Sequence, residues 1–174
     1  MHYTEYALQV INSTTLEEKL SPPKSLEWDD IDSPPEAPTE PGRPENLAIR
    51  QAKEFKVPKA QGMQDLKQKI RILHSFANHE LQAVELFAWA ILKYPQTPVG
   101  FKKGCVAILQ DEQRHTRLYV NRLQQLGSDF GGFPVSGYFW NKLGGMLCPI
   151  DFICAMSLTF ENANLDHGRL YGRY

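Results

Sequence analysis

IleLeuGlnAspGluGlnArgHisThrArgLeuTyr, residues 108–119, decides how the chain is read. Glu112 and His115 stand three apart, so on a helix of 3.6 residues per turn they share a face and can hold one metal ion between them. Alone, such a pair is as readily an ordinary hydrogen-bonded cluster with Tyr119 or Arg114. The pair belongs, however, to a run in alternating steps of four and three: Phe101, Cys105, Ile108, Glu112, His115 and Tyr119. That spacing marks the core seam of a bundle helix. Two ionisable groups in such a seam cost several kcal/mol unless a partner or a metal compensates them.

Working back from this stretch, residues 64–92 show the same period through Leu66, Ile70, Leu73, Ala77, Glu80, Val84, Phe87 and Ile91. Glu80 is the one charged member and is expected inside. Glu85 falls in register with Gln64, Arg71 and Asn78 and is expected to face water. TyrProGlnThrPro at 94–98 ends the helix in a short turn, which implies an antiparallel neighbour. That neighbour runs over 99–126 and stops at Gly127, a residue suited to a C-terminal cap. Glu80 lies about 14 residues before the turn and Glu112 about 15 after it, each about 21 Å along its helix, so the three side chains share one level.

Beyond Gly127, residues 128–149 are rich in glycine and aromatics and read as a packed connection anchored by Tyr138, Phe139 and Trp140. A third helix is expected from Pro149 or Ile150, with Ile150, Cys154, Ser157, Glu161 and Leu165 on its inner face. Towards the N-terminus, residues 3–20 predict two short helical pieces, the second with a capping box at Thr15 and Glu18. Seven prolines between Pro22 and Pro44 forbid regular helix and predict an extended arm. The chain therefore divides into an N-terminal arm over 1–60 and a helical domain over 61–174. The fold class is all-α, an incomplete bundle of about three core helices.

At 174 residues with a net charge of −1, the protein has the length of one domain and offers no electrostatic case for nucleic acid or an anionic membrane. Three cysteines without a CxxC favour a reducing, cytoplasmic setting, and no apolar stretch is long enough to span a bilayer. Glu80, Glu112, His115 and Glu161 are the candidate metal ligands. Inward carboxylates combined with an ExxH pair are how di-iron and di-manganese bundles are built, and oxygen plus imidazole donors suit iron or manganese. A second ExxH pair is absent, so four donors serve one ion or part of a pair. His74 and His79 lie off the inner stripe and read as supporting or surface groups, and Cys105 and Cys154 as small buried hydrophobes. Lys102, Lys103, Arg114, Arg117 and Arg122 read as a solvated face.

The sequence resembles a ferritin-like family called domain of unknown function 455, related in fold to ferritin-like tRNA hydroxylases. The resemblance rests on GluLysLeu at 18–20, ProGlyArgPro at 41–44, HisGluLeuGlnAla at 79–83, AspGluGlnArgHis at 111–115, PheProValSerGlyTyrPheTrp at 133–140 and LeuThrPheGluAsnAlaAsnLeuAspHis at 158–167. It implies a ferritin-like bundle with Glu80, Glu112, His115 and Glu161 as ligands to iron or manganese. The family pattern continues into a fourth helix with another Glu and His, before which this sequence stops. The expectation is a truncated chain, or one whose bundle a second copy or a partner chain completes. The resemblance implies fold and cofactor but names no substrate; with the candidate ligands it leads to the expectation of a di-iron, oxygen-dependent oxidoreductase whose small-molecule substrate is unknown. The alternative is a metal-free helical interaction protein that dimerises through the open face. A tRNA substrate, suggested by the hydroxylase kinship, sits poorly with the near-neutral charge.

Overall fold

The computed structural model describes residues 1–29, 33–50, 56–161 and 169–173, the side chains of 159–161 excepted. The chain is mostly helical. Two long antiparallel helices, α3 (Leu66–Lys93) and α4 (Val99–Gln125), form its centre, preceded by the shorter α1 (Tyr3–Asn12) and α2 (Leu16–Leu20). After α4 come a 3-10 turn, Trp140–Gly145, a short α5 (Pro149–Ile153) and a π-helical continuation, Cys154–Glu161. Two residues of β1 (Ile49–Arg50) pair in parallel with β2 (Val135–Ser136). Among the described residues no helix is long and apolar enough to cross a membrane.

Local chemistry sets the ends of the two long helices. Asp65 caps α3 by accepting a hydrogen bond from the Gln68 amide at 2.9 Å. Pro98 opens α4. At its end Gly127 takes φ +75°, the Ser128 amide returns to the Leu123 carbonyl and the Gly127 amide to that of Gln124. This pair of bonds is a Schellman cap, and its left-handed residue favours glycine. In α2 the capping box is relayed: Thr15 accepts from the Glu18 amide, while the Glu18 carboxylate accepts from Ser13 Oγ at 2.6 Å. Ser13 Oγ in turn accepts from the Thr15 amide.

One hydrophobic core runs through the chain. Tyr6, Ala7, Val10 and Ile11 of α1, and Leu47, lie in it beside Leu81, Phe87, Ile91 and Leu109. Residues 3–20 are therefore part of the packed body and do not extend from it. The second half of α3 is buried on every side: each residue from Leu81 to Leu92 is inaccessible. A helix enclosed in this way has no polar face.

That enclosure corrects the expected position of Glu85, which is wholly buried and does not face water. Its carboxylate receives two parallel bonds from Arg43, Nε to Oε1 at 2.9 Å and Nη2 to Oε2 at 2.7 Å. Lys19 Nζ stands 3.2 Å from Oε1, and Trp140 Nε1 donates to Oε2 at 2.9 Å. The Lys19 ammonium also donates to the Val10 and Ile11 carbonyls at 2.7 and 2.8 Å, capping α1. Gly42 donates its amide to Ile11 O, and a Cβ there would run into the Asn12 carbonyl, so glycine brings Arg43 within reach.

The third helix also departs from expectation. Ile150 is 72% exposed and Cys154 is exposed, while Phe152 and Met156 are the buried pair. Asp151 Oδ2 accepts the amides of Leu147 and Cys148, which fixes the start, and Phe152 then meets Phe87 edge-on at 5.3 Å. From Cys154 the helix is π, which breaks a face counted at 3.6 residues per turn.

Burial on its own would raise the Glu85 pKa, but Arg43, Lys19 and the hydrogen bonds hold it below its ordinary 4.5. A carboxylate with a depressed folded pKa stabilises fully above its unfolded pKa and loses that contribution as pH falls through the folded one. Glu85→Gln should lower the unfolding free energy by about 3–5 kcal/mol, since two buried cations lose their anion. Urea unfolding at neutral pH measures this. The deficit should shrink only below pH 4.5.

Candidate metal centre

Glu80 on α3 and Glu112 and His115 on α4 meet across the interhelical seam. One ligand atom from each lies within 4.8 Å of the others. His115 Nδ1 is 2.9 Å from Glu112 Oε2 and 4.0 Å from Glu80 Oε2. The expectation that the three share a level agrees with this meeting. The expected seam is displaced, however: the buried face of α4 carries Val106, Leu109, Gln113 and Thr116, with Cys105 and Glu112. Phe101, Ile108, His115 and Tyr119 occupy its half-buried margin. Side-chain exposure consequently grades from 7% for Glu112 through 18% for Glu80 to 40% for His115. The site has a walled side and an open one.

Donors about 2.1 Å from one ion stand about 3 Å apart when adjacent and about 4 Å apart when opposite, which the two measured separations match. Two carboxylates and an imidazole form a hard-to-borderline set that leaves coordination positions vacant. The donor set therefore could hold a single metal ion. Nδ1 faces both carboxylates, so it is the nitrogen placed to ligate, and it must then be unprotonated. Burial, together with the negative charges of Glu80 and Glu112, raises the pKa of the adjoining Tyr119 phenol and keeps it a neutral donor. Glu161 closes the π-helical segment, but its side chain lies outside the described residues, as does the whole of Leu165.

The remaining candidates separate clearly. His74 is buried rather than peripheral, and its Nε2 accepts from the Gly131 and Phe133 amides at 2.9 and 3.4 Å. His79 lies against Phe139, ring centroids 5.3 Å apart. Lys102 does not belong to a solvated face: it is buried and donates to Tyr3 Oη at 3.2 Å. Lys19, Arg43, Glu85 and Trp140 form a polar centre that periodicity did not reveal. The signal lay in GluLysLeu and ProGlyArgPro, where a lysine and an arginine stand in motifs without a surface pattern.

The sequence model of a protein family matches residues 2–172. The chain belongs to that family, described as Protein of unknown function (DUF455). No curated protein and no solved structure matched the chain. Among the motifs that carry the DUF455 resemblance, Lys19, Arg43 and Trp140 converge on Glu85, while Glu80, Glu112 and His115 converge on one another.

None of the three cysteines forms a disulfide. Burial pushes the Cys105 thiol up to about 12 from 9.0, so it is neither a nucleophile nor a ligand at neutral pH. Reaction of the native DUF455 chain with a disulfide reagent should modify the exposed Cys154 promptly and Cys105 only after unfolding. Prompt modification of all three would place Cys105 at the surface.

Proposed function

We propose that this chain is a ferritin-like, di-iron-type metalloprotein acting as an oxygen-dependent oxidoreductase, with Glu80, Glu112 and His115 as ligands and Glu161 as a fourth. Iron is the preferred metal and manganese the second choice. The observation that carries this reading is the convergence of two carboxylates and one imidazole from two helices within 4.8 Å. Iron, when bound, supplies one-electron redox chemistry towards oxygen.

The chain's own residues do the rest. Glu112, nearly enclosed, is held by the helix and by its 2.9 Å contact with His115. His115, on the open side, leaves room for a small molecule to approach. Tyr119 holds a proton beside the two carboxylates. The four donors suit one ion, and a second copy or a partner chain would supply the ligands of a second.

A metal-free helical interaction protein is the second reading. It draws on the Glu112–His115 hydrogen bond, which already satisfies both groups, and on exposed apolar side chains such as Leu118, 59% accessible on α4.

Anaerobic titration with ferrous iron, with metal quantified after desalting, separates the two. The metal reading predicts about one tightly held iron per chain, with affinity falling by about 10- to 100-fold or more in Glu112→Ala and in Glu80→Ala. Retention of iron by both variants, or none by the parent chain together with a stable dimer in sedimentation, would overturn it.

A further inference from the structure

On the side of α3 opposite Glu80, a cavity of about 60 Å³ opens between the helix and segment 133–136. That is a few times the space one water needs, the size of a single carboxylate or phosphate group. Arg71, His74, Ser75 and Asn78 wall it from α3, with Lys56 and Ser136 across from them. Among the described residues none of its walls carries a carboxylate.

The walls are positioned rather than merely present. The Arg71 guanidinium rests over the Phe133 ring, 5.6 Å from its centroid. His74 Nε2 is occupied by the two loop amides, so the ring hydrogen sits on Nδ1. Burial pulls the His74 pKa down to about 4, and the ring is a neutral donor at physiological pH. Gly131 makes this possible: it takes φ +108°, and a Cβ there would strike the Asn46 side chain. Asn78 is committed on both sides, accepting from Arg43 Nη1 at 3.0 Å and donating to the Ser136 carbonyl at 3.0 Å. Behind it stand Lys19 and Arg43 with Glu85 as their shared anion. The cavity itself is lined by two cations, Arg71 and Lys56.

We infer that this cavity binds an oxyanion, the carboxylate or phosphate group of a small molecule, with Arg71 and Lys56 supplying charge and His74 and Ser75 supplying neutral hydrogen bonds. Arginine offers a planar fork matched to either group. The site shares no residue with the proposed metal ligands, of which Glu80 lies on the other face of α3 and Glu112 and His115 lie on α4.

Titration calorimetry of the full chain at low ionic strength tests this, with inorganic phosphate in one arm, malonate in another and chloride as reference. Saturable binding of phosphate or malonate is expected, at least about tenfold tighter than chloride and weakened about tenfold in Arg71→Gln. The tighter arm distinguishes a phosphate from a carboxylate ligand. Lys56→Gln should weaken binding as well, and both variants should keep the parent's thermal midpoint without ligand and its uptake of iron. Absence of saturable binding in both arms, or binding unchanged in both variants, would overturn the assignment.

Discussion

A carboxylate enclosed in protein must find its counter-charge within the chain, and Glu85 finds it in residues 66 and 42 positions earlier. Burying an unpaired carboxylate costs several kcal/mol, a large share of a domain's whole stability, so the fold depends on the pairing. Lys19 ties in α2 and the end of α1, and Arg43 ties in the proline-rich passage. Trp140 ties in the connection after α4. Gln113 of α4 reinforces the arrangement by donating to the Lys19 carbonyl at 2.7 Å while accepting from Tyr6 Oη at 3.0 Å. Three segments far apart in sequence are thus referred to one anion on the central helix.

The two acidic centres of α3 differ in how their charge is answered. Glu85 meets a guanidinium bidentately and an ammonium, and it is wholly buried. Glu112, reached across the seam from Glu80, meets an imidazole, whose ring nitrogen can exchange a proton for a metal. A guanidinium cannot make that exchange. Both carboxylates on α3 belong to one helix, but Glu85 is answered by α2, the proline-rich passage and the connection after α4, whereas Glu80 is answered across the seam by α4. Glu85 points into the body, whereas His115 stands at the rim. That rim is open to solvent.

Much of this was legible from periodicity, and what was not has a common cause. The extents of α3 and α4, the turn between them and the level shared by Glu80, Glu112 and His115 follow from helical geometry, which reads a two-sided helix well. It fails for Glu85 because the enclosed half of α3 has no outward face on which a charge could be placed. Lys19 and Arg43 escaped notice for the converse reason: a charged residue in a five-residue helix or among prolines looks solvated, and only the long-range contact shows otherwise. In the third helix the Asp151 cap sets the first turn so that Phe152, and Met156 four residues on, take the inner positions expected of Ile150 and Cys154, and from Cys154 onward the π-helical stretch breaks the period itself. Residues 135–136 pair with β1 across a distance that no local pattern encodes.

The central helix thus carries distinct chemistry around its circumference, and Asn78 shows how two parts of it are joined. Its amide has one oxygen and one nitrogen: the first is held by Arg43 and the second holds the Ser136 carbonyl. Arg43, which is paired to Glu85, and the loop that walls the cavity therefore share one planar group as a hydrogen-bond partner. Rotation of that amide by a half turn would aim an N–H at the guanidinium and an oxygen at a carbonyl, two repulsive contacts at once. Glu80 stands apart from this linkage on the far face of the helix, where its setting is made by α4.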